Sequence, residues 1–442
     1  MKKFLILSFL VCFFKLQAQV ISGPLTGYVE HKEAAVWIEV APTVKKIAIK
    51  YWKSGSSVFN TKKYEGKLGQ AYNPIKVILE NLEMASDYKY CFVVDGKETE
   101  TNAFKTKTVW EYSKPAPDFS FITGSCAYLN DSIYDRPGKP YGGNPKIFET
   151  MADTPSDFML WLGDNFYTRE ADHSSKSGFM YRISHDRATR DMQRLWKSRP
   201  HYAIWDDHDF GPNDSGKAYR LKTVSRQIFM DYWPNPTFGQ NNEGIYTNFT
   251  HNDADFFLMD DRYFRSADDM AETVDGKPNP DKKMYGDVQM EWLKNALLSS
   301  SAPFKFIVTG SQVLNPNSSK DCLRHYPAEF EALMSFIESN KVEGVLFLTG
   351  DRHHSEVIKL ERKGAYSLYD ITASPLTSGV SGVLNSKEKD NPTRVLGSLV
   401  IEQNFAKISI TGPKSNRQLN IDFINMDGKK QGGFSVNEKD LK

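Results

Sequence analysis

The stretch Tyr202-Ala203-Ile204-Trp205-Asp206-Asp207-His208-Asp209 decides how this chain folds. A short apolar run ends there in three carboxylates and one imidazole. Carboxylates placed this close together repel one another unless a positive charge lies between them. The stretch therefore predicts a buried strand whose end carries a cation site.

Three further apolar runs end in residues that commonly bind metal ions. Such continuous runs are typical of strands buried on both faces, and in layered α/β folds ligands collect at the carboxyl ends of the strands. One polar strand end alone would usually be a helix cap or a structural ion pair. Four such ends together favour a site at one edge of the sheet. Residues 119–122 lead through 123–125 into Cys126, residues 157–163 into Asp164, and residues 344–350 into Asp351, Arg352, His353 and His354.

The types of these residues indicate which ions they bind. Asp164 and Tyr167 lie three residues apart, so that one turn can direct both side chains at one ion. Phenolate and thiolate ligands, here Tyr167 and Cys126, favour a trivalent or soft transition metal. The oxygens of Asp207 and Asn213 suit a harder cation such as calcium, manganese or magnesium. We therefore predict two or more unlike metals with Asp164 between them.

These motifs resemble those of the D-type (PhoD-like) alkaline phosphatases and phosphodiesterases, a branch of the metallophosphoesterase superfamily. The resemblance covers nearly the whole chain after residue 18. It implies a layered α/β sandwich flanked by helices and a metal-dependent phosphoesterase activity. The matching stretches are residues 163–167, 181–182, 205–214, 260–265, 350–355 and 374–379, together with Asp191, Gln289, Trp292 and Leu293.

The resemblance also implies a role for each candidate residue. Cys126 stands where many superfamily members begin with an aspartate. Asp164 bridges the metals, and Tyr167 binds a ferric ion as in the purple acid phosphatases. Asp207 and Asn213 bind the second metal. Asp351 and His353 complete the metal shell, and His208 donates a proton beside the phosphate.

The chain departs from the family pattern toward more carboxylates. An aspartate in residues 206–209 stands where relatives carry the asparagine of a Gly-Asn-His-Glu motif, and Asp351 stands where they carry a metal-binding histidine. Oxygen-rich sites fit calcium better than zinc. The implied cofactors are therefore Fe³⁺ and Ca²⁺, or another divalent cation such as Mn²⁺ or Mg²⁺ in place of calcium.

Three residues allow two interpretations each. Arg262 and Arg265 either contact phosphate, since a guanidinium matches two of its oxygens, or form buried ion pairs with Asp260 or Asp261. Cys126 is either a ligand or a small buried apolar residue, and its position after a strand favours the ligand.

The adjacent histidines 353 and 354 present a further choice. Neighbouring side chains on an extended segment point to opposite faces, so only one of them can reach the metals easily. We expect His353 to be that residue.

The first residues predict export from the cytoplasm. Met1-Lys2-Lys3 precedes an apolar core, and Leu16-Gln17-Ala18 is typical of a cleavage site, which indicates a signal peptide over residues 1–18 and a periplasmic or secreted protein. The cleaved chain has lost three lysines and no acid, so no basic surface indicates nucleic acid binding. No transmembrane segment is expected in the mature chain.

The remainder of the 442 residues predicts two domains. Short alternating runs without helices indicate a small fibronectin-like β-sandwich over residues 19–111, with a linker over 112–118. Helical and strand patterns alternate in the catalytic domain, residues 119–442. Helices are predicted at residues 145–151, 179–196, 218–233, 288–298 and 327–337.

The sequence thus predicts a secreted phosphoesterase that hydrolyses phosphate monoesters or diesters by attack of a metal-activated water, for phosphate acquisition. Its substrate would be a small-molecule or lipid-headgroup phosphate ester. A serine-nucleophile phosphatase using Ser215 is a weaker alternative. Another is a catalytically inactive secreted protein that binds a surface or a glycan.

Overall fold

The computed structural model describes residues 19–112, 114–318 and 321–442. The predicted signal peptide, residues 1–18, lies outside the described residues. Within the described residues, every helix is too short or too polar to cross a membrane.

The N-terminal region is built from two antiparallel sheets. One has the strand order β1-β2-β5, and the other β4-β3-β6-β7 with β8 paired to β6. A turn at Asp95-Gly96 joins β6 to β7, and both residues have positive φ (46° and 84°), as a tight hairpin requires. The strands are β1 (Val20–Val29), β2 (Ala34–Val40), β3 (Ile47–Lys53), β4 (Asn60–Lys63), β5 (Asn73–Leu79), β6 (Asp87–Val94), β7 (Lys97–Glu98) and β8 (Asn102–Lys105).

The described residues from 114 onward form two six-stranded sheets, one two-stranded sheet and seven α-helices, which confirms the predicted layered α/β fold. Its strands are β9 (Phe119–Gly124), β10 (Phe158–Leu162), β11 (His201–Ile204), β12 (Thr247–His251), β13 (Ala254–Leu258), β14 (Thr273–Val274), β15 (Lys277–Pro278), β16 (Phe304–Thr309), β17 (Val345–Thr349), β18 (Glu356–Arg362), β19 (Ala365–Thr372), β20 (Asn404–Thr411), β21 (Gln418–Asn425) and β22 (Lys430–Asn437). Its helices are α1 (Ile147–Asp153), α2 (Lys176–Arg187), α3 (Arg190–Ser198), α4 (Asp207–Phe210), α5 (Lys222–Tyr232), α6 (Asp287–Ser299) and α7 (Pro327–Ser339).

The order of the strands brings the polar strand ends together. The first sheet has the order β11-β10-β9-β20-β21-β22, with β9, β10 and β11 parallel. The second has the order β12-β13-β16-β17-β19-β18, with β13, β16, β17 and β19 parallel. The carboxyl ends of the parallel strands of both sheets meet at one edge of the sandwich.

Phenylalanine rings fill the space between the two sheets. Phe121 of β9 stacks on Phe158 of β10 at 4.9 Å, and Phe256 of β13 stacks on Phe306 of β16 at the same distance. Phe121 also meets Phe306 edge to face at 5.7 Å. Offset and edge-to-face contacts of this kind stabilise a core beyond the burial of apolar area alone.

The prediction of a single helix over residues 179–196 is wrong, because Ala188 and Thr189 interrupt it and separate α2 from α3. The carbonyl oxygen of Arg187, at the end of α2, accepts hydrogen bonds from three side chains instead of continuing the helix. One of these donors is Ser22 of β1. The other two are Gln193 and Trp196 of α3, so contacts from α3 and from the N-terminal sheet together hold the chain at this interruption.

The same contact joins the N-terminal sheet to the helices. The indole nitrogen of Trp37 on β2 donates to the carbonyl oxygen of Asp231 at 2.9 Å. The buried guanidinium of Arg187 lies over the rings of Trp37, Trp196 and Trp233 at 4.3 to 4.5 Å. Cation–π contacts of a desolvated guanidinium stabilise such a contact surface.

Candidate active site at the strand ends

A cleft of 330 Å³ opens where the strand ends meet. Such a volume lies at the lower end of the range for small-molecule sites. Six of the eight predicted site residues line it, and the other two, Cys126 and Tyr167, lie buried beneath its floor. The lining residues are Tyr141, Asp164, Asp207, His208, Asn213, Asp214, Asp321, Asp351, Arg352, His353 and Ser381.

Four of the predicted metal ligands sit in left-handed backbone conformations. Their φ angles are 62° at Cys126, 49° at Asp164, 66° at Asp351 and 57° at His353. Residues other than glycine rarely adopt positive φ, and such residues concentrate at functional sites. These turns direct Asp164, Asp351 and His353 into the cleft within a few residues of the ends of their strands.

Asp164 is the centre of one half of the site. Its Oδ2 accepts a hydrogen bond from the hydroxyl of Tyr167 at 2.9 Å and lies 3.6 Å from the Sγ of Cys126. The Tyr167 hydroxyl also lies 3.2 Å from Nε2 of His353. A thiol, a phenol, a carboxylate and an imidazole thus converge on one point.

The other half is built on α4, which begins at Asp207. The backbone nitrogen of Asp214 donates to Oδ2 of Asp207 at 2.8 Å and fixes that carboxylate. Asp209 faces away from the cleft, because its carboxylate accepts hydrogen bonds from the backbone nitrogens of Asp206 at 3.0 Å and Asn165 at 2.8 Å. Asp209 therefore ties two strand-end loops together and is not a candidate ligand.

His208 follows Asp207 and reaches the same centre. Its backbone nitrogen donates to Oδ1 of Asp164 at 3.3 Å. Its ring nitrogen Nδ1 is buried and has no hydrogen-bond partner among the residues described. Buried polar atoms without a partner are costly, so this nitrogen is available for a ligand.

Burial, together with the crowding of like charges, shifts the pKa values of the cleft residues. Burial and the neighbouring carboxylates of Asp321 and Asp207 raise the pKa of Asp351 to about 8. Burial and Asp207 likewise raise the pKa of Asp164 well above its usual range. Burial raises the pKa of the Cys126 thiol to about 12 and lowers the pKa of His353 to about 4. Each shift reflects a charged form that burial in the cleft disfavours.

These residues fit the metal ions that the sequence motifs imply. Three sets of ligand atoms, each with its members within 4.8 Å of one another, share Asp164. Oδ2 of Asp206 is also buried without a hydrogen-bond partner among the described residues. Cations placed here would relieve both the repulsion and the unsatisfied atoms. The sets are Cys126 with Asp164 and His353, Asp164 with Asp207 and His208, and Asp164 with Asp206 and Asp351.

The two arginines considered for phosphate binding form buried ion pairs, with partners other than Asp260 and Asp261. Arg262 pairs with Asp206, and its Nη2 lies 3.2 Å from Oδ1 of Asp321. Arg265 Nη2 lies 2.7 Å from the same oxygen of Asp321 and 2.9 Å from Asp268. Both guanidinium groups are fully buried and pair with Asp321, so they fix this carboxylate in the lining of the cleft.

The two neighbouring histidines diverge, although the backbone there is a turn rather than the extended segment that we expected. His353 lines the cleft, whereas His354 is fully buried, with Nδ1 2.9 Å from the carbonyl oxygen of Arg352. Its Nε2 lies 3.3 Å from Glu356, which also pairs with Arg394. A balanced network of charges therefore surrounds His354, away from the cleft.

Five lining residues were missed at the level of sequence, among them Asp214 at the end of the matched stretch 205–214. Tyr141 and Ser381 come from Gly- and Pro-rich loops without a strand pattern, and Asp321 from a long connection after β16. Arg352 lies within the matched stretch 350–355, and its positive charge beside the predicted ligands was the signal that it could contact phosphate. Ser215 does not line the cleft, since its Oγ is buried near Gly211.

The sequence of this chain matches one known protein family over most of its length. The profile of the PhoD-like phosphatases matches residues 121–413. The chain belongs to the PhoD-like phosphatase family. The match begins inside β9 and ends just after β20, so it contains every predicted site residue of this family member.

Among curated proteins, the PhoD-like chain is similar to alkaline phosphatase D of Bacillus subtilis (strain 168). The two are 26% identical over 337 residues. The match covers 65% of this chain and 55% of the relative, so the chain spans little more than half of that protein.

Two solved structures share the fold of this PhoD-like phosphatase. A structure of PhoD superposes with a TM-score of 0.76 at 18% identity, covering 96% of this chain and 90% of the other. A purple acid phosphatase from yellow lupin (Lupinus luteus) seeds gives a TM-score of 0.67 at 11% identity, covering 95% and 75%. At these identities the likeness concerns the fold alone.

Proposed function

We propose that this protein is a metal-dependent phosphoesterase that hydrolyses phosphate monoesters or diesters. The observation that carries the proposal is the position of Asp164, which contributes an oxygen to three overlapping sets of potential metal ligands in one cleft. A shared carboxylate of this kind is what a site for two cations needs. Membership of the PhoD-like phosphatase family supports the same activity.

The residue types assign ions to the two halves of the cleft. Cys126, Tyr167 and His353 would hold Fe³⁺ together with Asp164, because thiolate and phenolate ligands suit it. The oxygen ligands Asp207, Asn213 and Asp351 would hold Ca²⁺, or Mn²⁺ or Mg²⁺ instead. When bound, the cations would neutralise the phosphate oxygens and activate a water for attack on phosphorus.

His208 is the proposed proton donor to the leaving oxygen. Burial lowers the pKa of its imidazole, while the carboxylate of Asp207 acts in the opposite direction. An anionic ester in the cleft would add a second negative charge beside the ring and favour its protonated form. His208 would then protonate the departing alkoxide, which contributes about 10²- to 10⁴-fold in rate.

Arg352 is the proposed contact for the non-bridging oxygens of the substrate. It is the arginine that lines the cleft, and its Nη2 pairs with Glu388, which holds the side chain in place. Its Nη1 lies 3.8 Å from Oδ2 of Asp351. A guanidinium presented in this way can donate to phosphate oxygens while it remains anchored.

The biological role follows from the first residues. We infer that residues 1–18 are a cleaved signal peptide and that the protein acts outside the cytoplasm to release phosphate from small-molecule or lipid-headgroup esters. Residues 19–111 would form the N-terminal sandwich domain, 112–118 the linker and 119–442 the catalytic domain. Unchanged growth of a deletion strain on phosphate esters as sole phosphorus source would contradict phosphate acquisition.

The activity is tested with p-nitrophenyl phosphate and bis-p-nitrophenyl phosphate, before and after chelation, with Fe³⁺ and Ca²⁺ added back. We expect metal-dependent turnover that is lost in Asp207→Asn and retained in Asp275→Asn, a matched substitution in the β14–β15 turn. The ratio of the two rates measures diester preference. If neither ester is hydrolysed with both metals present, the proposal is wrong and a non-catalytic binding role gains support.

A further inference from the structure

One part of the cleft wall differs chemically from the rest. Tyr141 lines the cleft, yet 46% of its surface stays exposed, and Val380, beside the lining residue Ser381, is 43% exposed. The other lining residues are mostly carboxylates, an amide, an arginine and histidines. An exposed phenol ring in the lining of so polar a cleft, with an exposed aliphatic residue next to a lining residue in the chain, suggests contact with an apolar group.

The ring of Tyr141 is held in a fixed orientation. It meets Tyr128 edge to face at 4.8 Å, and its hydroxyl lies 3.1 Å from Nδ1 of His353. Gly379 lies directly against the ring, since a Cβ at that position would come within 2.9 Å of Cε2. A ring fixed on several sides can bind a flat group with little loss of conformational entropy.

The loop that carries Val380 is attached to the same histidine. The backbone nitrogen of Ser381 donates to the carbonyl oxygen of His353 at 2.8 Å. Tyr141 and Ser381 are therefore both anchored on His353, one through the imidazole and one through the backbone. This common anchor holds Tyr141 and the backbone next to Val380 against His353, a proposed metal ligand.

We propose that Tyr141 and Val380 form the binding surface for the group on the ester oxygen of the substrate, and that they select an aromatic or other flat apolar group. The inference rests on the proposed function, and it adds the substrate class. With the phosphoryl group at the proposed metal ligands, a leaving group in contact with the Tyr141 ring would meet an aromatic part of a lining that is otherwise polar. Aromatic contact and apolar burial favour that orientation.

The test measures binding of phenylphosphonate and methylphosphonate, which are not hydrolysed, to the protein loaded with Fe³⁺ and Ca²⁺, by calorimetry. We expect phenylphosphonate to bind about tenfold more tightly. Tyr141→Ser should remove most of that preference and Val380→Ser part of it. Tyr141→Phe should weaken both ligands about equally, since it removes the hydrogen bond to His353 but keeps the ring. Val109→Ser, at an exposed site in another part of the chain, is the matched control and should keep the preference.

The outcomes separate the two proposals. A wild-type protein without preference for the phenyl group, a Tyr141→Ser variant that retains it, or failure to bind either phosphonate would overturn the inference. None of these results depends on turnover. Absence of hydrolysis of both p-nitrophenyl esters would instead count against the proposed function, whatever the phosphonate ratio.

Discussion

The imidazole of His208 lies on the phenol ring of Tyr167, with ring centroids 4.1 Å apart and planes inclined by 31°. The phenol is itself fixed, because its hydroxyl donates to Asp164 at 2.9 Å. One side chain at the end of β10 therefore orients the proposed proton donor at the end of β11. The two halves of the cleft are coupled through this ring contact.

The first prediction concerns His208. His208→Asn should lower kcat by about 10²- to 10⁴-fold, the usual contribution of a positioned acid. The loss should be larger for phenyl phosphate than for p-nitrophenyl phosphate, because the poorer leaving group needs the proton more. Steady-state kinetics on both esters measure this, with His31→Asn, in the turn between β1 and β2, as control. Equal losses on the two esters would contradict a proton-donor role.

The second prediction concerns the buried ion pairs behind the cleft. Arg262→Met should lower the free energy of unfolding by about 3 to 5 kcal/mol, because it leaves Asp206 buried without its partner. The matched control is Arg194→Met, which breaks an exposed pair with Asp153 and should cost no more than about 1 kcal/mol. Urea unfolding of both variants provides the comparison, and similar midpoints would refute the structural role.

The third prediction concerns Gly163, which has φ +89° at the end of β10. A Cβ there would come within 2.6 Å of Cβ of Asp206, so Gly163→Ala should displace the backbone at Asp206 and destabilise the fold. Gly276→Ala carries a similar φ of +72° but has open space around it. Thermal unfolding should therefore show a clearly larger drop in Tm for Gly163→Ala. Equal drops would mean that backbone strain alone, and not the contact, sets the effect.

The fourth prediction concerns acid stability. Burial lowers the pKa of His201 to about 3, from an ordinary value of 6.5. Below pH 6.5 the unfolded chain binds a proton that the folded protein excludes, so this residue lowers the free energy of unfolding as the pH falls toward 3, by up to about 1.4 kcal/mol per pH unit.

His201→Gln removes this titration and can still accept the hydrogen bond from Trp161. Whatever its stability at pH 7, the variant should lose less stability than the wild type as the pH falls. Urea unfolding at several pH values between 7 and 4 measures the difference between the two proteins. A difference that stays constant over this range would show that His201 does not titrate as expected.

The apolar runs of the sequence were sufficient to predict the layered fold, because a strand that is buried on both faces can be recognised from its own continuous apolar residues. The runs at residues 119–122, 157–163 and 202–204 became β9, β10 and β11 within one or two residues. The break between α2 and α3 was not predictable, because Ser22 of β1 takes part in it. Contacts between residues 165 positions apart leave no local signal.

For the site, the sequence by itself determined which residues end the strands, and so which carboxylates, thiol, phenol and imidazoles could meet. Only the tertiary structure decided how they are used. It turned His353 toward the cleft and His354 away, engaged Arg262 with Asp206 and Asp321, and brought Tyr141 to the cleft from a loop without periodicity. The physical reason is that strand patterning reflects local burial, whereas the pairing of charges and the closing of loops depend on residues that are far apart in the chain.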